Sequence, residues 1–362
     1  MLQTVLYNAK MILYLHRKKT VMKYFLLPEN GQFYKANLHS HSTVSDGTLT
    51  PREMKELYKS HGYSILCCTD HELIVPHHEL TDDDFLMLTG FELGFDEECE
   101  DFLHARVCDL CVIALDKNNV TQPCFHRTKY HNPERNGEIV FDEKEPDFEK
   151  SYDADCINRA IEICREKGFF VTYNHPTWSL EHYEDYIKYK GMNAMEICNF
   201  SSFIDGYDEY NSKAYDDFLR KGERIFCIAA DDNHNRRDPK CRMWDSFGAF
   251  TVIKAEKLSY EAVADALIKG NFYSSQGPEI YGLYLENGKL FVDCSPADKI
   301  TCTVNKRRCM SRYNEETGFI THGEFELYPE DGYFRVTVID KNGLKAETNA
   351  YFTDCFDLNV GE

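Results

Sequence analysis

The stretch Asn37-Leu-His-Ser-His-Ser-Thr-Val-Ser-Asp-Gly47 gathers two imidazoles and a carboxylate within a few residues. His39 and His41 are two apart, and on a strand that spacing turns both side chains to one face. Two nitrogens on one side, with Asp46 just beyond, are donors that suit a divalent transition metal. An HxH pair alone is a weak signal, because polar residues are common at strand ends. Here the theme repeats along the chain. Ser64-Ile-Leu-Cys-Cys-Thr-Asp-His71 ends in Asp70 and His71, and Phe85-Leu-Met-Leu-Thr-Gly-Phe-Glu-Leu93 delivers Glu92. Phe169-Phe-Val-Thr-Tyr-Asn-His-Pro176 ends in His175, and Ile225-Phe-Cys-Ile-Ala-Ala-Asp-Asp-Asn-His234 ends in Asp231, Asp232 and His234. Each apolar strand finishes in His, Asp or Glu at its carboxyl end, where parallel barrels place their reactive groups.

The elements that must position these donors follow from local signals. Thr50-Pro51 predicts an N-cap and a proline in the first helical turn. That helix turns Met54, Leu57 and Tyr58 to one side and stops at Gly62. The run Asp82-Asp83-Asp84 is a solvated turn before strand 85–89, and an acidic loop leads to strand Asp109–Asp116. From Lys117 to about Tyr152 the chain is polar, with Gln122-Pro123, Asn132-Pro133 and Asn136-Gly137, and is expected as an insertion on the active-site face. Helices are expected over 154–167 (Ile157, Ile161 and Cys164 inward), near 180–190, over 210–220 and over 260–269, alternating with strands 169–173, 194–198, 225–230 and 250–253. About seven strand–helix repeats predict a βα barrel. After Pro278 short alternating strands and the turns Asn287-Gly288 and Asn342-Gly343 predict an all-β, sandwich-like module, without a cluster of exposed aromatics to mark a binding face. The expected division is an extension over 1–32, the barrel over 33–280 and the β module over 281–362.

A chain of 362 residues with 43% hydrophobic content, including 23 Tyr and 24 Phe, can bury a large core. A net charge of −20 argues against a broad grip on a nucleic-acid backbone, though cations held locally would still admit a small phosphorylated substrate. The 15 cysteines follow no disulfide framework and predict reduced thiols in the cytoplasm. Residues 1–21 contain short apolar runs broken by Lys10 and followed by Arg17-Lys-Lys19, which predicts neither a signal peptide nor a membrane span. Met22 is an alternative start.

Segments 37–47, 68–71, 90–92, 174–176 and 231–234 together resemble the PHP (polymerase and histidinol phosphatase) superfamily of metal-dependent phosphoesterases, over about residues 33–280. The resemblance implies a distorted seven-stranded TIM-like barrel and two or three divalent ions of Mn²⁺, Fe²⁺ or Zn²⁺ type. It implies a phosphoric ester hydrolase that attacks its substrate with a metal-bound hydroxide, with Glu92, Asp232 and His234 as catalytic residues. By the same resemblance one ion takes His39, His41, Glu92 and Asp232, and another takes Asp46, His71 and His234. The remaining ion takes Glu92, His175 and a further donor. At that last position this chain departs from the family's histidine: strand register favours Asp109, and spacing from Glu92 favours His104, the slightly preferred reading. Asp70 and Asp231 adjoin ligands and are expected to orient them by hydrogen bonds.

Arg236 and Arg237 follow His234 directly and could hold a phosphate in bidentate fashion, with Arg127, Lys129 and His78 as further candidates for substrate contact. The expected partner is a small phosphorylated molecule, with no stable nucleic-acid complex and no membrane. An exonuclease or oligonucleotide phosphodiesterase using the same cluster is the alternative enzyme. A catalytically silent domain with a partner-binding β module is the non-enzymatic one, and the near-complete donor set speaks against it, since unused acids repel one another.

Overall fold

The computed structural model describes residues 23–129 and 139–358. The alternative start at Met22, the basic segment before it and the turns at Asn132-Pro133 and Asn136-Gly137 lie outside the described residues. The fold is mixed α/β. The first strands are β1 (Lys23–Phe25), β2 (Gln32–Asn37), β3 (Ile65–Cys68), β4 (Leu86–Asp96), β5 (Val107–Ala114) and β6 (Phe169–Tyr173). They are followed by β7 (Ala194–Asn199), β8 (Phe226–Ala230), β9 (Phe250–Ala255) and β10 (Phe272–Ser275). The tail adds β11 (Ile280–Glu286), β12 (Lys289–Ala297), β13 (Lys299–Val304), β14 (Met310–Arg312), β15 (Ile320–Glu326), β16 (Tyr333–Ile339), β17 (Lys345–Thr348) and β18 (Tyr351–Phe352). Six helices are present among the described residues: α1 (Pro51–Ser60), α2 (Ala154–Glu166), α3 (Tyr183–Tyr186), α4 (Phe200–Asp205), α5 (Ser212–Lys221) and α6 (Tyr260–Lys269).

Local chemistry explains the helix ends. Thr50 and Glu53 close a reciprocal capping box, with Thr50 N–H donating to Glu53 at 2.8 Å and Glu53 N–H to Thr50 Oγ1 at 3.3 Å. Asp153 and Ser259 cap α2 and α6 through their side-chain oxygens. Gly222 and Gly270 end α5 and α6 in the left-handed region that glycine enters without steric cost. The expected helix near 180–190 shrinks to the single turn of α3, and Leu180 just before it lies in the left-handed region at φ 58.

A large sheet carries the site. Its strands run in the order β9-β2-β3-β4-β5-β6-β7-β8, and beyond β9 it continues through β10, β17, β16 and β13 to β14. The pairs β2–β3, β3–β4, β6–β7 and β7–β8 are parallel, whereas β4–β5, β5–β6 and β2–β9 are antiparallel. A regular sevenfold βα repeat is therefore not what the chain builds, since antiparallel neighbours need no helical crossover. The ends of β2 and β8 nevertheless meet. His41 N–H donates to the Asn233 carbonyl at 3.0 Å and Asp232 N–H to the His39 carbonyl at 3.0 Å, so the carboxyl ends of these strands lie side by side.

The tail strands divide between two layers. A four-stranded sheet runs β1-β11-β12-β15, and β13, β16 and β17 extend the large sheet by pairing β17 with β10. Leu283, Leu285, Leu290, Val292, Ile300, Val336 and Val338 form one buried cluster between the layers. Lys23–Phe25 thus pairs with the tail through β11. The outer face of this sheet carries a row of neighbouring rings, Phe25 tilted against Tyr284 with centroids 6.1 Å apart and Tyr284 stacked on Phe291 at 4.9 Å. Strand alternation alone does not reveal such a row, because it forms only when register aligns the three strands.

One buried carboxylate makes stability pH-dependent. Glu181 accepts from the hydroxyls of Tyr152 (2.8 Å), Tyr173 and Tyr189, and burial pushes it up to about 7 against the pull of those hydroxyls. An acid raised from 4.5 to about 7 on folding favours the native state below the lower value and loses that contribution as pH rises through the upper one. Unfolding free energy is expected to fall by roughly 3 kcal/mol between pH 4.5 and 7.5 through this group. Glu181→Gln flattens that limb in urea titrations at a series of pH values, and an unchanged limb would refute the assignment.

Candidate metal centre

The carboxyl ends of β2, β3, β6 and β8 bring the predicted donors together with Glu92 from the middle of β4. His39, His41, Glu92 and His175 are almost fully buried. Glu92 lies at their centre: Oε1 is 3.1 Å from His39 Nε2 and 3.3 Å from His175 Nε2, while Oε2 is 3.3 Å from His41 Nε2 and 3.2 Å from His71 Nδ1. Asp232 Oδ1 stands 3.2 Å from His39 Nε2 and 3.0 Å from His41 Nε2. At the outer edge Asp46 Oδ1 is 3.4 Å from His234 Nε2 and 3.7 Å from His71 Nε2. His175 and Asp232 have φ of 22° and 53°, a conformation that costs a non-glycine residue of the order of 1–3 kcal/mol.

Hydrogen bonds fix the tautomers. His39 Nδ1 lies 2.7 Å from Glu196 Oε1, which accepts its proton and leaves the Nε2 lone pair facing Glu92 and Asp232. His234 Nδ1 is 3.1 Å from the Asp232 carbonyl, an oxygen that can only accept, so its Nε2 lone pair faces Asp46. Burial pulls the imidazoles of His41 and His175 down, but the surrounding carboxylates outweigh it and raise both to about 10. His71 moves the other way, to about 4, through burial and the neighbouring His41. Burial favours protonation of Asp232, yet His39, His41 and His234 hold it well below the usual carboxylate range.

The donors fall into four overlapping groups whose atoms lie within 4.8 Å of one another: His41, Asp46, His71 and His234; His39, His41 and Asp232; His39, Glu92 and Cys111; Glu92, Asp109 and His175. Asp232 Oδ1 is buried without a hydrogen-bond partner, and the Nε2 atoms of His39 and His41 approach to 3.2 Å. Imidazole nitrogens and carboxylates that converge this closely suit a divalent cation, whose binding would displace the imidazole protons. The residues therefore fit the metal ions that the sequence motifs imply.

Other expected residues fall around this centre. Asp109 Oδ2 is 3.8 Å from His175 Nε2. His104 instead closes a short turn, is exposed and faces Asp101 at 3.7 Å, so the preference for it is corrected: register along β5, not distance from Glu92 along the chain, decides which residue points inward. Asp70 accepts from the amides of Ser42 (2.7 Å) and Ser45 (3.1 Å) and from both hydroxyls, and shapes the loop that carries Asp46. Asp231 accepts from Tyr58 (2.8 Å) and the amides of Phe247, Gly248 and Ala249, and burial raises it to about 6. Arg236 binds Asp46 at the rim, and Arg237 faces Asp205 at 3.6 Å. Arg127 is engaged by Asp147 at 2.6 Å and Lys129 by Glu149 at 2.7 Å, both within the polar insertion. His78 reaches the Lys117 carbonyl at 2.7 Å. None of these last three belongs to the donor groups.

Glu196, Asn174, Asn199 and Cys111 are the residues that motif reasoning missed. Glu196 Oε2 accepts from His175 N–H at 3.1 Å and from Asn199 Nδ2 at 3.0 Å, and the same Asn199 amide reaches Asp232 at 3.1 Å. One carboxylate thus orients three donor segments. A Glu between Met195 and Ile197, in a strand whose other residues up to Cys198 are apolar, is the signal that could have found it. Glu196→Gln is expected to weaken cation binding roughly 10- to 100-fold, read by competition with a chelating indicator. An affinity equal to wild type would contradict the role.

Gly47 closes the first motif for a steric reason. A Cβ there would lie 2.2 Å from the His41 carbonyl oxygen, so the loop cannot fold over His41 with any other residue. Gly47→Ala is expected to destabilise the fold by about 1–3 kcal/mol and to weaken cation binding with it, measured by urea unfolding and metal titration. Unchanged values of both would show that the loop is free to move.

No protein-family profile matches the sequence, and no curated protein matches it. Among solved structures, the chain is similar to a two-domain protein from Bacteroides vulgatus described as containing a predicted PHP-like metal-dependent phosphoesterase. The two are 13% identical, with 90% of this chain and 98% of that chain covered and a TM-score of 0.42. A protein from Bifidobacterium adolescentis, inferred to be a metal-dependent phosphoesterase, is 15% identical over 59% of this chain and 91% of its own, with a TM-score of 0.33. At such overlap these likenesses carry no weight for the chemistry, which rests on the donors themselves.

Proposed function

We propose that the chain is a metal-dependent phosphoesterase that hydrolyses a small phosphomonoester such as a nucleotide or a sugar phosphate. The observation that carries this reading is the overlap of the donor groups through Glu92, His39 and His41. A carboxylate shared between adjacent sites lets cations lie close together with reduced repulsion. Divalent ions held there would supply a nucleophile from water at neutral pH and charge to neutralise the phosphoryl oxygens.

The chain's own residues then have separable tasks. His39, His41, Glu92 and Asp232 would hold the innermost ion, Glu92, Asp109 and His175 a second, and Asp46, His71 and His234 the outermost. Glu196 and Asn199 keep the first set in place. Asp46, His71 and His234 are the more open donors, so the outermost group faces the incoming phosphate. Arg236, exposed beside Asp46, is positioned to bind a phosphate oxygen, with Arg237 next to it.

In this reading the seven strands β2 to β8 act as a distorted barrel over 33–280, with 281–362 as its β module. No helix among the described residues is long and apolar enough to cross a membrane. The free thiols support a reducing, cytoplasmic setting. Phosphate release from a panel of phosphomonoesters, nucleotides and short oligonucleotides, with Mn²⁺, Fe²⁺ or Zn²⁺ added to metal-free protein, tests the proposal. Turnover of monoesters supports it, release of mononucleotides from oligomers points to the exonuclease, and no turnover with any ion would leave a silent domain.

A further inference from the structure

Ten of the 15 cysteines are buried, and nine of those ten belong to the hydrophobic clusters of the core. Cys111 is the exception. It is fully buried but surrounded by polar groups: Asn174 Nδ2 lies 3.2 Å from its Sγ, and donor atoms of His39 and Glu92 lie within 4.8 Å. The register explains why. Cys111 is the direct cross-strand partner of Glu92 and stands two residues from Asp109 on β5, so all three side chains share the inner face. The Asn174 amide that approaches Sγ also donates to Glu92 Oε1 at 2.9 Å, so one side chain positions both donors. Beside them Asp232 Oδ1 is buried without a hydrogen-bond partner.

We propose that Cys111 is a ligand of the centre, joining His39 and Glu92 around one cation, and that the centre therefore selects borderline-soft ions such as Zn²⁺, Fe²⁺ or Co²⁺ over the hard Mg²⁺ and Ca²⁺. The inference rests on reading the cluster as a metal centre. Thiolate sulfur favours softer cations, whereas all-oxygen sites suit the hard ones. On binding, the S–H bond breaks, the proton leaves to solvent and a sulfur–metal bond forms, with no change in oxidation state. A thiol that only filled space would be expected within the hydrophobic clusters, where the other nine lie.

Titration of the metal-free protein with Co²⁺ separates the possibilities. Wild type is expected to develop visible ligand-field bands together with a near-ultraviolet thiolate-to-cobalt absorption. Cys111→Ser is expected to lose the near-ultraviolet absorption and keep the visible bands, and Cys111→Ala serves as a second variant. X-ray absorption of the zinc-loaded wild type needs no variant, and should show a sulfur neighbour at about 2.3 Å. Co²⁺ uptake with a near-ultraviolet band that survives in both variants, or a zinc shell of nitrogen and oxygen alone, would overturn the role of Cys111 while leaving the centre intact. Absence of any uptake would overturn the centre itself.

Discussion

Glu92→Gln is expected to lower phosphate release by about 1,000-fold or more. The carboxylate touches four imidazoles that arrive from three separate segments, at 3.1 to 3.3 Å. Glutamine keeps the shape but removes the charge, and its amide hydrogens would face the lone pairs of the same histidines. Metal-assisted hydrolysis draws several kcal/mol of transition-state stabilisation from its ions, and about 4 kcal/mol corresponds to roughly three decades in rate. The loss should appear in kcat/KM at saturating Mn²⁺ and, independently, as reduced ion stoichiometry by elemental analysis. A variant that retains both within tenfold would show that Glu92 does not bridge the sites.

Arg335→Ala is expected to cost about 3–5 kcal/mol of stability, the largest effect expected outside the centre. Arg335 is buried on β16, and its guanidinium donates to Asp216 of α5 at 3.0 and 3.1 Å and to Glu347 of β17. Tyr333 adds a hydrogen bond to Asp216 at 3.0 Å, and Thr337 adds bonds to Glu347 at 3.1 and 2.9 Å. Removing the arginine strands two carboxylates between the tail strands and α5. Urea unfolding measures the loss, and adding Asp216→Asn and Glu347→Gln to Arg335→Met should recover most of it, because neutral partners need no counter-charge. A single-variant loss under about 1 kcal/mol would mean that water enters to solvate the acids.

The donors at strand ends were legible in the sequence because the same pattern of apolar run followed by His, Asp or Glu recurs on successive segments. Thr50, Pro51 and Glu53 announced α1 for a local reason, a cap that needs no tertiary partner. The Asn287-Gly288 hairpin was equally local, with φ of 51° and 75° at its two residues. Interior positions were not legible in this way. Glu196 and Cys111 lie within strands, where inward direction depends on register with β8 and β4, and register is settled by long-range pairing. The same dependence explains why the antiparallel turn from β4 through β5 to β6 was hidden behind an expected sevenfold repeat.

Anomalous diffraction from crystals grown with Mn²⁺ or Zn²⁺ tests the metal centre most directly. Two or three peaks are expected, one within bonding distance of His39, His41 and Asp232, one beside Glu92, Asp109 and His175, and one beside Asp46, His71 and His234. Crystals saturated with either ion that show no anomalous density among these side chains would contradict the centre and the hydrolysis built on it.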